Sequence, residues 1–105
     1  MTQPPLNPMS VDAFLAFEAT EDWRHELIDG RPVAMTGASN RHDAVVVNCL
    51  AELHARLRGT KCRPVTADTA VILPSGNVRR PDVLVDCSGK MEGVTAHEPA
   101  VIVEV

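Results

Sequence analysis

Apolar residues recur at helical spacing in two stretches of the chain. In the first, which follows Ser10, they are Val11, Phe14 and Leu15. The second runs from Ser39 or Asn40 to Gly59, and its inward positions are Val46, Cys49 or Leu50, Leu53 and Leu57. Ser and Asn suit helix N-caps, and Gly commonly follows a helix end. The pattern therefore predicts a short amphipathic helix and a longer one.

The shorter apolar segments are typical of β-strands. Residues 25–28 and 32–35 flank Asp29-Gly30, a dipeptide that tolerates the positive φ angles of a tight hairpin turn. After the longer helix, extended segments are expected at 62–73 (with a break near Asp68), 81–87 and 100–105. The segments between them, a turn at 74–77 and a loop at 88–99, carry Gly and Pro.

The order of these elements is helix, hairpin, helix and then strands. That order predicts an α+β fold in which a mixed sheet is flanked by helices. A chain of 105 residues is long enough for one domain, which we place at residues 10–105. Residues 1–9 contain three prolines and little that could pack, so we expect a flexible lead-in there.

Composition and charge limit the location and partners of the chain. No stretch approaches the length of about 18 apolar residues that a membrane span requires, so no membrane association and a cytoplasmic location are expected. The net charge of −4 argues against a uniformly basic nucleic-acid-binding surface. The basic residues are nevertheless uneven, with one cluster at Arg56, Arg58, Lys61 and Arg63. A solvated surface at a helix C-terminus would also explain this cluster.

The three cysteines, Cys49, Cys62 and Cys87, lack the paired spacing of a zinc site or a disulfide framework. An odd number of widely separated cysteines in a cytoplasmic chain is typical of reduced thiols. We therefore expect three free thiols, two or three of them in the core.

Two acidic residues occupy corresponding positions on the last two predicted strands. If these strands pair antiparallel with a register centred on Gly93, residue i lies opposite residue 186 minus i, and Asp82 falls opposite Glu104. Two neighbouring carboxylates repel each other unless a cation neutralises them, and their oxygens suit Mg²⁺ or Mn²⁺. Alternatively, Asp82 merely begins a strand after Pro81, and Glu104 lies on an exposed sheet face.

Five segments in order resemble one known family. They are RHELIDGRPVAMTGAS, RHDAVVVNCLAELHARLRG, CRPVTAD, RPDVLVDC and EPAVIVEV. Together they resemble the Uma2 restriction endonuclease family, which is assigned to the PD-(D/E)XK nuclease superfamily. The match extends from about Phe14 to the last residue. The resemblance implies a restriction-endonuclease-like α+β core, a divalent metal cofactor and DNA as the substrate.

The resemblance also implies roles for individual residues. Asp82 and Glu104 correspond to the metal-binding carboxylates, and Glu26 corresponds to an additional catalytic acid. His42 is a recurring family position and a possible site residue, although an inward histidine on a helix can also be structural. Asp68 matches a family acid but, like Asp86, is expected to be structural or solvated.

The chain departs from the family pattern at its C-terminal end. In the family, the Val-Glu-Val strand continues into a turn and then a helix that carries the catalytic lysine. This sequence stops at Val105, and neither Lys61 nor Lys90 matches that lysine. We therefore expect the core to lack the family's C-terminal helix and strands, and the chain to be weakly active or inactive.

Three functions are compatible with these observations. The first is metal-dependent hydrolysis of DNA phosphodiester bonds by Asp82 and Glu104, assisted by Glu26. The second is a non-catalytic remnant or self-association module, and the third is a metal-binding domain without a nucleic-acid role. Val101, Val103 and Val105 lie on one face of the last strand, and an open strand edge tends to find a partner. A homo-oligomer, with a two-fold dimer favoured, is therefore expected.

Overall fold

The computed structural model describes residues 7–105, and this part of the chain contains two helices and seven strands. In chain order these are α1 (Val11–Glu18), β1 (His25–Ile28), β2 (Arg31–Ala34), α2 (Asn40–Arg56), β3 (Arg63–Thr66), β4 (Val71–Ile72), β5 (Val78–Arg79), β6 (Val83–Asp86) and β7 (Pro99–Val103). The chain forms two compact units. Unit 1 comprises Met1–Met35 and Ile72–Arg79, and unit 2 comprises Thr36–Val71 and Arg80–Val105.

Unit 1 is built on the predicted hairpin. Asp29 and Gly30 adopt φ angles of 51° and 78°, as a two-residue turn with two left-handed positions requires. The β1–β2 hairpin belongs to a sheet with the strand order β2-β1-β5-β4. Helix α1 begins after Ser10, whose hydroxyl accepts a hydrogen bond from the Ala13 backbone N–H. Among the described residues of this unit, the fully buried apolar side chains are Phe14, Leu27 and Val78.

Unit 2 combines α2 with a three-stranded antiparallel sheet of order β3-β6-β7. Ser39 caps α2 by accepting a hydrogen bond from the His42 backbone N–H. The central strand β6 is buried along its whole length, which accounts for its nearly continuous apolar sequence. The helix contacts β3 and β6. The sheet and α2 thus bring the middle and the end of the sequence together in one unit.

The β6–β7 pairing has the predicted register. Val83 pairs with Val103, Leu84 with Ile102 and Val85 with Val101, so residue i lies opposite 186 minus i. The register then shifts at a β-bulge between Val85 and Asp86, which pairs with Pro99. The predicted alignment therefore holds at the end of the ribbon that carries Asp82 and Glu104.

The α+β fold class, both helices and the hairpin are confirmed. The short strand β5 was not predicted, because Val78-Arg79 directly follows a turn and is only two residues long. The prediction of one domain over residues 10–105 stays a prediction, as does the flexible lead-in, of which residues 1–6 lie outside the described part. Within residues 7–105, no helix is long and apolar enough to cross a membrane.

The prediction of three reduced cysteines is wrong for two of them. Cys62 and Cys87 form a disulfide, and only Cys49 is a free thiol. These two cysteines are 25 residues apart in sequence, so their spacing gave no sign of a pair. Arg63 of β3 pairs with Asp86 of β6. Because the two strands are antiparallel, this pairing places Cys62, which precedes Arg63, beside Cys87, which follows Asp86.

Candidate active site at the end of the β6–β7 ribbon

Asp82 and Glu104 are linked to each other where β6 begins and β7 ends. The Asp82 backbone N–H donates a hydrogen bond to Oε1 of Glu104 at 3.3 Å. In return, the Val105 backbone N–H donates to Oδ2 of Asp82 at 2.8 Å. The antiparallel register explains both hydrogen bonds. It sets Asp82 and Glu104 opposite each other just beyond the last paired residues, Val83 and Val103. The structure therefore brings the two predicted metal ligands together.

His42 joins this pair from α2. Its Nε2 atom lies 3.3 Å from Oδ2 of Asp82, and both side chains are partly buried. Since an ionised carboxylate can only accept hydrogen bonds, Nε2 carries the proton in this contact. His42 lies on the inward face of the first turn of α2. The start of this helix therefore positions the His42 side chain next to Asp82. Oδ2 of Asp82 is thus held by two donors.

An open pocket of about 360 Å³ lies beside these residues in unit 2. His42, Asp82, Asp43 and Asp68 are among its lining residues. Asp68 was set aside in the sequence interpretation, although its place at a strand bend was a usable signal. The backbone at this bend is fixed by the buried guanidinium of Arg80, which donates to the carbonyl oxygens of Ala67 at 3.1 Å and Asp68 at 2.7 Å.

Glu26 is located in unit 1, on β1. Its carboxylate lies 3.4 Å from Nε of Arg79 on β5, and Leu27 of β1 pairs with Val78 of β5. This ion pair gives Glu26 a structural role within its own sheet. Its predicted part in catalysis stays a prediction.

Asp86, at the other end of β6, is structural, as expected. Its side chain is 2% exposed and accepts hydrogen bonds from the backbone N–H groups of Ser88, His97 and Glu98. Burial raises the pKa of the Asp86 carboxyl, but the hydrogen bonds from Ser88, His97 and Glu98 outweigh it and lower the pKa from 3.8 to about 2. Asp86 therefore organises the 88–98 loop and does not contribute to the site.

The donor set at Asp82 and Glu104 can be tested against the metal that the family resemblance implies. Within residues 7–105, no group of three or more His, Cys, Asp or Glu side chains is placed to hold a metal ion. A closed four-ligand zinc site therefore does not fit. Mg²⁺ commonly takes only one or two protein carboxylates and fills its remaining positions with water and phosphate oxygens. Asp82, which lines an open pocket, and Glu104, which accepts a hydrogen bond from the Asp82 backbone, are two carboxylates of the kind that such an ion takes.

Comparison with known proteins identifies the family of this chain. The sequence model of Uma2, described as "Putative restriction endonuclease", matches residues 11–105. The chain belongs to the Uma2 family. This match includes residues of both units and all residues of the candidate site.

Two individual proteins are similar to this Uma2 chain over most of its length. An uncharacterised protein from Synechocystis sp. is 29% identical over 104 residues, which are 96% of this chain and 55% of that protein. A crystal structure from Anabaena variabilis, titled as a putative nuclease of the family DUF820, superimposes with a TM-score of 0.64 at 17% identity. It covers 76% of this chain and 44% of the Anabaena chain, and it shows that the two share a fold. The chain thus spans about half the length of these proteins.

Proposed function

We propose that this Uma2 chain supplies the carboxylates of a metal-dependent endonuclease site that hydrolyses DNA phosphodiester bonds. The observation that carries the proposal is the pair of hydrogen bonds at the end of the β6–β7 ribbon, from the Asp82 backbone N–H to the Glu104 carboxylate and from the Val105 backbone N–H to the Asp82 carboxylate. Membership in a family described as restriction endonucleases supports the reaction class. The open pocket that Asp82 lines would give a phosphate group access to the Asp82 carboxylate.

Asp82 and Glu104 would hold Mg²⁺ or Mn²⁺ through their carboxylate oxygens. When bound, such an ion supplies Lewis-acid chemistry, since it lowers the pKa of water and offsets charge on the reacting phosphate. His42 would act as a positioning residue, because its Nε2–H holds Oδ2 of Asp82 in place. The proposal includes Glu26 as the additional catalytic acid, and this role is supported only by the resemblance to the family.

A plasmid-nicking assay with Mg²⁺ tests the proposal. We expect the 105-residue chain alone to nick little, because neither Lys61 nor Lys90 matches the family's lysine position. A version of the chain extended through the family's C-terminal region should nick when Mg²⁺ is present and stop when EDTA is added. Asp82→Asn and Glu104→Gln should each lower that rate about 100-fold or more, since each removes a charged ligand.

The matched control is Asp22→Asn, which removes the same charge from an exposed residue of unit 1. Its nicking rate should equal that of the parent. Nicking that Asp82→Asn leaves unchanged would refute the proposed site. Strong nicking by the short chain that Asp82→Asn abolishes would refute only the expectation about lysine.

The second candidate function is self-association, and strand β7 favours it. This strand forms one edge of the sheet in unit 2, and Val101 and Ile102 are 48% and 49% exposed. An apolar edge strand with open backbone groups can pair with another copy of the same strand. Such a module would need neither a metal ion nor catalytic activity. The nicking assay above therefore distinguishes it from the nuclease.

A further inference from the structure

Four basic residues meet at the end of unit 2 where β6 finishes. We call Arg58, Lys61, Arg63 and Lys90 the basic corner. The guanidinium of Arg63 donates to the Lys90 carbonyl oxygen at 3.1 Å, and Arg58 and Arg63 line one open pocket of about 400 Å³. A Cβ atom built on Gly89 would lie 3.6 Å from Cβ of Lys61, so the 89–90 segment packs against Lys61. The fold therefore joins residues from two separate parts of the sequence.

The four cations of the basic corner have no ion-pair partner within the described part of the chain. Neighbouring Arg56, by contrast, is held by Glu52 at 2.8 Å. The nearby Asp86 carboxylate is buried and accepts three backbone N–H groups instead. A favourable interaction with the helix dipole could explain Arg56 and Arg58, but Lys61, Arg63 and Lys90 lie beyond the end of α2. Local positive charge in a chain of net charge −4 is a surface feature that suits an anionic partner.

We propose that the basic corner binds backbone phosphates of the DNA whose cleavage is proposed above. Asp82 precedes β6 and Cys87 follows it, so about five residues of extended chain, roughly 16 Å, separate the candidate site from the corner. Successive base pairs are about 3.4 Å apart, so this distance equals about five base pairs. A duplex of this length is long enough to reach from one end of β6 to the other. Arg and Lys bind phosphate oxygens without reading sequence, which makes the corner a positioning surface.

The disulfide contributes to this surface by holding its parts in place. Cys62 lies between Lys61 and Arg63, and Cys87 ends the strand that leads to Lys90. A cross-link at this point fixes the two chain segments that carry three of the four cations. The side chains of Arg58, Lys61 and Lys90 remain exposed.

Fluorescence anisotropy with a labelled 20-base-pair duplex in EDTA tests the inference without any cleavage. The double variant Arg58→Gln/Lys61→Gln should bind at least about tenfold more weakly at low salt, and the slope of log K against log salt should fall by about two. The matched control is Arg24→Gln/Arg31→Gln, which removes the same charge from exposed residues of unit 1. It should bind like the parent.

Equal losses in both double variants, or no duplex binding by the parent at low salt, would overturn the inference. So would tighter binding to phosphatidylserine vesicles than to the duplex, which would assign the corner to a membrane surface. The proposed function fails separately. A protein that binds DNA through the corner but never cleaves it leaves this inference standing, whereas cleavage with unchanged KM in Arg58→Gln/Lys61→Gln refutes only the inference.

Discussion

At the residue scale, the ionisation of the Asp86 carboxyl makes the stability of the fold depend on pH. Because its pKa is lowered from 3.8 to about 2 in the folded protein, it stabilises the fold fully above about pH 4, and this contribution is lost as the pH falls through about 2. The shift corresponds to about 2 kcal/mol of unfolding free energy. Urea unfolding from pH 5 to pH 2 should therefore show a loss of this size.

The Asp86→Asn variant should remove most of that pH dependence. It should also lower the unfolding free energy at pH 7 by about 1–3 kcal/mol, because three backbone N–H groups lose a charged acceptor. Asp22→Asn, at an exposed position, should leave both quantities unchanged. An Asp86→Asn curve parallel to that of the parent would show that Asp86 is not the titrating group.

His42 gives the second prediction at this scale. If its Nε2–H orients the Asp82 carboxylate, His42→Ala should weaken Mn²⁺ binding about tenfold, as is typical when a group that holds a metal ligand is removed. His42→Gln, which can still donate a hydrogen bond, should recover part of the affinity. Titration calorimetry measures both, with His54→Ala on the exposed part of α2 as the control. Equal affinity in His42→Ala and parent would leave His42 with a packing role only.

At the scale of elements, the disulfide between the start of β3 and the end of β6 should stabilise unit 2. Closing a loop with a sequence separation of 25 residues is worth about 3 kcal/mol through the entropy of the unfolded chain. Cys62→Ala/Cys87→Ala should lose about that amount in urea unfolding, whereas Cys49→Ala should lose less. A thiol assay on the denatured, unreduced protein should find one free thiol per chain. Three thiols would contradict the disulfide.

The elements also show which features can be predicted from sequence. Helices α1 and α2 were predictable because Ser10 and Ser39 precede apolar residues at helical spacing. The hairpin was predictable because Asp29-Gly30 tolerates the positive φ angles of its turn. The β6–β7 register was predictable because a single loop joins the two strands. The Cys62–Cys87 bond and strand β5 were not, since both depend on pairing between segments far apart in sequence.

The candidate site was predictable to a similar extent. Period-two alternation and the register paired Asp82 with Glu104, but that reasoning could not recognise the site as functional, and the family resemblance supplied this step. The sequence could not show that His42 donates to Asp82, because the contact depends on how α2 packs against β6. It also could not show that Asp68 lines the same pocket as Asp82.

At the scale of the whole molecule, we expect the chain to form a dimer through the exposed edge of β7. Light scattering after gel filtration should give about twice the chain mass of 11.3 kDa. Ile102→Lys should shift the protein toward the monomer, whereas Val47→Lys, an equally exposed apolar position on α2, should not. A mass near 11.3 kDa that holds across a tenfold dilution range would refute the dimer.

The central claim is that Asp82 and Glu104 together bind a divalent cation, and titration calorimetry with Mn²⁺ tests it most directly. The parent chain should bind Mn²⁺, and Asp82→Ala/Glu104→Ala should abolish the binding because it removes both carboxylates of the site. Glu21→Ala/Asp22→Ala removes two exposed carboxylates from unit 1 and should bind Mn²⁺ like the parent. If Asp82→Ala/Glu104→Ala binds Mn²⁺ as well as the parent does, the account of the site is wrong.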